Sequence, residues 1–255
     1  MRRAWLVGLL ASLALGSDLS AQRRRGGPIE IPPNLKYDGL FTFVRVKFDP
    51  SASAMGGFGW YPGDQRWDHD YPRGERNFTK ILSALTTARP RVEASNILTL
   101  DDPELFKFPV AYLCEPGSWM PTDKEVAGLR SYLKKGGFLI VDDFQGNDIF
   151  NLEAQLRRVM PESRMIPIPL QHPIFDAFYR IESFEQYVHP YSQAPTQFLG
   201  IFEDNDPTKR LMVAINYNGD MSEYWEFSDT GAFPIDLSND AYKLGVNYVV
   251  YALTR

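Results

Sequence analysis

Cysteine and histidine are scarce in this sequence. Cys114 is the only thiol, and His69, His172 and His189 are the only imidazoles among 255 residues. A single cysteine excludes an internal disulfide, so stability must come from a packed core. It also leaves any nucleophilic thiol chemistry to one residue and three potential bases. Basic charge is short as well: Lys and Arg number 27 against 32 Asp and Glu, a net charge of −5. Loss of the first 21 residues, which hold Arg2, Arg3 and Asp18, would take it to −6. No basic face is available for phosphates, which argues against nucleic acid as a partner. Beyond the amino terminus no apolar run is long enough for a transmembrane helix.

What is present is an ordinary globular composition, 44% hydrophobic and 23% charged, behind an export-type leader. Residues 1–21 read as a signal peptide, with Arg2 and Arg3 before the mostly apolar stretch Ala4 to Leu15 and a small-residue exit at Leu19-Ser20-Ala21. That leader implies a secreted or periplasmic protein; an uncleaved anchor is the alternative. Residues 22–36, with three arginines, two glycines and three prolines up to Asn34, read as a flexible lead-in. Residues 37–255 are expected to form a single α/β domain.

Within it, strands are predicted over 40–48, 92–100, 109–114, 138–141, 165–170, 198–203 and 211–217, the prolines at 167 and 169 putting the fifth at an edge or bulge. Helices are predicted over about 78–88, from Thr122 to Gly136, over 149–159 and over 239–252. Thr122 and Glu125 form a capping box in the second, and Gly136-Gly137 stops it. This order predicts a three-layer fold: a mostly parallel sheet with helices on both faces and an antiparallel hairpin near the carboxyl terminus. The 49–77 stretch is a long loop, and its Phe58, Trp60, Tyr61, Trp67 and Tyr71 suit an ordered cap.

Loops after parallel strands gather at one sheet edge. They bring Asp68, His69 and Asp70, Cys114 and Glu115, Asp142 and Asp143, and His172 into consideration. Asp142 and Asp143 are candidates for an acid–base pair, or for holding a metal with Asp68, His69 and Asp70; the plainer reading is that they cap the next helix and bond the 68–77 loop. Neighbours on a strand face opposite ways, so only one meets a given pocket unless the chain has begun to turn. Trp67 to Pro72 mixes aromatic faces with carboxylates as sugar-binding loops do, although loop aromatics more often pack the loop down. Cys114 reads as a small buried residue. Arg73 and Arg76 suit either Asp142 and Asp143 or an anionic ligand. Asp143 and His172 are the catalytic candidates; no metal set is assigned and no cofactor is expected.

The pieces WDHDYPRGERNF (67–78), KKGGFLIVDD (134–143), His172-Pro173, INYNGDMSEYW (215–225) and LGVNYVVYALT (244–254) resemble the bacterial family called domain of unknown function 4159. The resemblance adds Asp220 and Trp225 to the ligand-binding candidates. It implies the flavodoxin-like fold of class I glutamine amidotransferases, and the HPIF segment is similar to trehalose-utilisation proteins of that fold. It also implies an absence: Asp142 or Asp143 stands where those enzymes carry the nucleophilic cysteine, so glutaminase chemistry is not expected. The expected function is therefore binding, of a small polar ligand or an envelope protein. The alternative is a hydrolase acting on carbohydrate through Asp142 or Asp143 and His69 or His172.

Overall fold

The computed structural model describes residues 31–50 and 65–255. The expected signal peptide, most of the lead-in, and Phe58, Trp60 and Tyr61 lie outside them.

Seven strands form one sheet: β1 (Val44–Val46), β2 (Asn96–Leu98), β3 (Val110–Cys114), β4 (Phe138–Asp142), β5 (Ile166–Pro167), β6 (Gln197–Phe202) and β7 (Leu211–Tyr217). Their order is β2-β1-β3-β4-β7-β6-β5. The first five in that order run parallel, and β7, β6 and β5 are joined by antiparallel pairing. The helices are α1 (Arg73–Leu85), α2 (Asp123–Lys134), α3 (Asp148–Val159), α4 (Met221–Glu226) and α5 (Ile235–Thr254). None of the described helices is long and apolar enough to cross a membrane.

The near-continuous apolar run of β4 reflects burial on both faces. Phe138 and Ile140 join Tyr112, Phe78 and Leu82 of α1 and Leu244 and Tyr248 of α5. Leu139 and Val141 join Leu113, Val126 and Leu129 of α2, and Leu152 and Leu156 of α3. Helix α2 begins at the expected capping box, Thr122 accepting from the Glu125 amide while Glu125 accepts from that of Thr122. The chain leaves it through Gly136 at φ 107°, a conformation that suits glycine.

Several boundaries differ from expectation. Strand β1 spans three residues, yet backbone bonds from Asn96 to Phe43 and from Lys47 to Leu98 continue its pairing on both sides. Helix α1 starts at Arg73, directly after Pro72, so residues 73–77 are helix and not loop. The fifth strand shrinks to Ile166–Pro167 at the sheet edge, as its prolines require. Helix α4 has no counterpart among the expected elements; six residues are too few to show a helical period.

At the outer edge of β2, Asn34 donates through Nδ2 to Ile97 O and accepts through Oδ1 from Ile97 N, both at 2.8 Å. Leu35 and Asn96 exchange a second such pair. The described end of the lead-in is thereby tied to the sheet.

Gly245 fixes how closely α5 approaches the other helices. A Cβ there would lie 2.6 Å from the Trp225 ring and 2.7 Å from Phe78. Gly245→Ala is expected to destabilise the fold by about 1–3 kcal/mol through overpacking, read as a lower urea midpoint at unchanged slope; an unchanged midpoint would refute this packing account.

Candidate functional site

The carboxyl ends of β3 and β4 stop at the same level, Cys114 opposite Asp142. The next residue on each strand turns into the left-handed region, Glu115 at φ 48° and Asp143 at φ 57°, and the Glu115 amide donates to Asp143 O at 3.2 Å. Arg66 and Asp70, in the turn before α1, adopt the same region at φ 59° and 62°. Such backbone costs about 1 kcal/mol or more per non-glycine residue and recurs at functional sites. It ends strand alternation early, so Asp143 projects over the sheet edge instead of into the face opposite Asp142.

His69 Nδ1 lies 3.0 Å from Glu115 Oε1 and 3.6 Å from Asp143 Oδ2, and the three side chains each keep about 13% exposure. Arg66 Nη1 also reaches Glu115, at 3.1 Å. Burial and the charge of Glu115 push Asp143 up to about 7, against the opposing pull of His69. Oxygens of Asp70, Asp143 and Asp220 lie within 4.8 Å of one another, as do those of Asp70, Glu223 and Glu226. Burial, then Asp143 and Asp70, hold Asp220 far above the usual carboxylate range. Burial, then Asp70, push Glu223 up to about 10, and Glu223 accepts from the Tyr191 hydroxyl.

Asp142 lies beneath this cluster, fully buried. It accepts from Asn216 Nδ2 at 2.9 Å and from the Met221 amide at 2.8 Å, fastening β7 and the start of α4. Oxygen contacts continue from Asp142 to the Tyr112 hydroxyl (2.9 Å), on to Ser222 Oγ (2.7 Å) and then to Asp70 (2.6 Å). Three contacts need three protons, and the two hydroxyls supply two. Burial raises Asp142, which favours its neutral form as the source of the third.

Cys114 is buried beside the Arg45 guanidinium, 3.0 Å from Nη1 and 3.3 Å from Trp67 O. Burial pushes its thiol far up, with Arg45 only partly opposing. No imidazole is bonded to it in the described contacts, and it behaves as a core residue.

The expected residues divide into two groups. His69, Asp70, Asp142, Asp143 and Asp220 converge, and Asp68 is buried in the same turn. Trp67 and Trp225 are core side chains, Trp225 stacked on Phe78 at 4.4 Å, so neither offers a stacking face to solvent. Arg73 pairs with Asp229 and Arg76 with Glu93, and neither pairs with Asp142 or Asp143. His172 packs against Phe202 and Tyr251. Tyr251 bonds the Leu211 amide at the start of β7, whereas the carboxylates gather past the ends of β3, β4 and β7. Burial lowers the His172 imidazole to about 4, and His172 Nδ1 accepts from the Ile174 amide. Glu223, Glu226, Ser222 and Tyr112 were missed. The available signal was the Asp220-x-x-Glu223 spacing, an N-cap pattern that Asp220 fulfils by accepting from the Glu223 amide. A separate cavity of about 390 Å³ opens beside α1, lined by Tyr71, Glu75, Thr79 and Val92 among others, and none of the clustered carboxylates lines it.

Glu223 gives the cluster a pH signature. A folded pKa near 10, raised from 4.5, means that the native state holds a proton the unfolded chain has lost between those values. Its contribution is complete below about pH 4.5 and is lost as pH rises. Glu223→Gln is expected to gain Tm relative to the parent at pH 8 compared with pH 5; parallel Tm curves would refute the assignment.

No curated protein matches the sequence. The model of the domain of unknown function family DUF4159 matches residues 42–253, nearly all of the described chain, and the protein belongs to that family.

Proposed function

We propose that this domain binds a small polar ligand carrying positive charge at the carboxyl edge of its parallel strands, and that it does so outside the cytoplasm, delivered by the signal at residues 1–21. The observation that carries the reading is the gathering of carboxyl groups at this edge, most of them buried. Asp70, Asp142, Asp220, Glu223 and Glu226, all buried, gather there with half-buried Asp143, and Arg66 and His69 meet the same edge through Glu115 and Asp143. Burial favours the neutral carboxyl, and a cationic ligand beside it favours the ionised form. The fold is read as that of class I glutamine amidotransferases, with Asp143 in the turn where a nucleophilic cysteine would stand. A carboxylate there forms no thioester, so the site binds without glutaminase turnover.

Glucosamine, glucose and glucuronate differ chiefly in charge and serve as matched probes for calorimetry at low salt. Glucosamine is expected to bind best, and Asp143→Asn with Asp220→Asn to weaken it at least about tenfold, the loss of roughly 1.4 kcal/mol. Equal binding of glucose and glucuronate would overturn the reading.

A second reading, a hydrolase acting on carbohydrate, draws support from Asp143 alone. A carboxyl titrating near 7 beside an imidazole can give and take a proton around neutral pH. On this reading Asp143→Asn lowers any glycosidase activity by about 100-fold or more; activity untouched by that change would sink it.

A further inference from the structure

The geometry points to a divalent transition-metal ion bound at Asp143 by His69 and Glu115. The inference rests on the preceding reading, since both use the negative charge of this edge, and it names the cation.

The donor set is not purely acidic. His69 supplies an imidazole nitrogen, and Glu115 and Asp143 supply oxygens, all three within 4.8 Å of one another. Bonds of about 2.0–2.2 Å place neighbouring ligand atoms roughly 3.4 Å apart around a tetrahedral zinc. The separations from His69 Nδ1, 3.0 Å to Glu115 and 3.6 Å to Asp143, bracket that spacing. One nitrogen with two carboxylates suits zinc, manganese or iron better than calcium or magnesium, which favour oxygen alone.

The three donors come from separate segments, each fixed before any ion arrives. Glu115 and Asp143 are joined through backbone, amide to carbonyl. His69 sits in the 66–70 turn, whose Trp67 carbonyl accepts from buried Arg45. A site held this way needs little reordering to bind. The retained exposure of about 13% on each side chain gives an entry path and leaves a coordination position for water or a ligand.

Asp143 also belongs to the group with Asp70 and Asp220. Those carboxyls add negative potential behind the ion, and three protein donors with a fourth position open are the pattern of zinc sites that act on a bound molecule.

The full mature chain, dialysed against EDTA and then freed of chelator, is to be titrated with zinc, manganese, magnesium and calcium chlorides. One zinc or manganese ion per chain is expected, with magnesium and calcium at least about tenfold weaker. His69→Ala and Asp143→Asn are expected to weaken zinc at least about tenfold, and Asp123→Asn, a surface change on α2, to leave it unaltered. Should either site variant fail to fold, X-ray absorption of the zinc-loaded parent decides: a nitrogen and oxygen shell with one imidazole supports the assignment, and a shell without imidazole overturns it. Zinc binding indifferent to His69→Ala in a folded variant also overturns it. Glucosamine bound in EDTA by a chain that takes up no zinc removes the metal and keeps the cationic-ligand reading. Failure of both titrations removes both.

Discussion

The architecture of the edge hangs on one buried guanidinium. Arg45 stands on β1 with no exposed surface, and its fork reaches three elements. Nε pairs with Glu75 of α1, Nη1 donates to Trp67 O at 3.0 Å and contacts Cys114 of β3 at 3.0 Å, and the guanidinium lies 5.1 Å from the centre of the Tyr112 ring. Burying such a charge costs several kcal/mol, and removing one partner of a buried pair costs about 3–5 kcal/mol because the other is stranded. Arg45 therefore contributes less as stability than as placement. It holds the 66–70 turn against the end of β3, and so sets where His69 and Asp70 stand relative to Glu115 and Asp143.

Asp142 does the same for the far half of the edge. It converts the tip of β4 into a junction with Asn216 of β7, the first amide of α4 and the hydroxyl of Tyr112. Two adjacent aspartates thus have opposite duties: Asp142 is consumed by internal hydrogen bonds, and Asp143 is turned outward by a single left-handed residue. The contacts from Asp142 through Tyr112 and Ser222 to Asp70 link this junction to the 66–70 turn, so charge at one end is felt at the other.

Much of this was legible in the sequence. The capping box, the glycine stop and the apolar run from Phe138 gave the central helix–strand unit, and the proline at 167 identified an edge. The convergence of loops at strand ends followed from parallel order, which brought His69, Asp70 and Asp143 together on paper. Other features escaped because they depend on three dimensions. Trp67 and Trp225 stood among the ligand candidates, Trp67 with packing as its plainer reading, and burial, which a single sequence does not display, makes both core. His172 was drawn into the site by its chemistry, whereas its neighbours Phe202 and Tyr251 hold it by the start of β7. Short α4 carried too few residues for a period, and with it Glu223 and Glu226 went unnoticed.

The bonds between Asn34 and Ile97 have a bearing on how the molecule meets its own copies. A sheet edge left bare offers a template for another strand, and β2 is such an edge. Here a side-chain amide imitates a peptide group, taking both outward-facing backbone atoms of Ile97. At the opposite edge β5 is two residues long and one of them is Pro167, which has no amide to offer. Among the described residues both rims of the sheet are thus closed to strand-by-strand self-association.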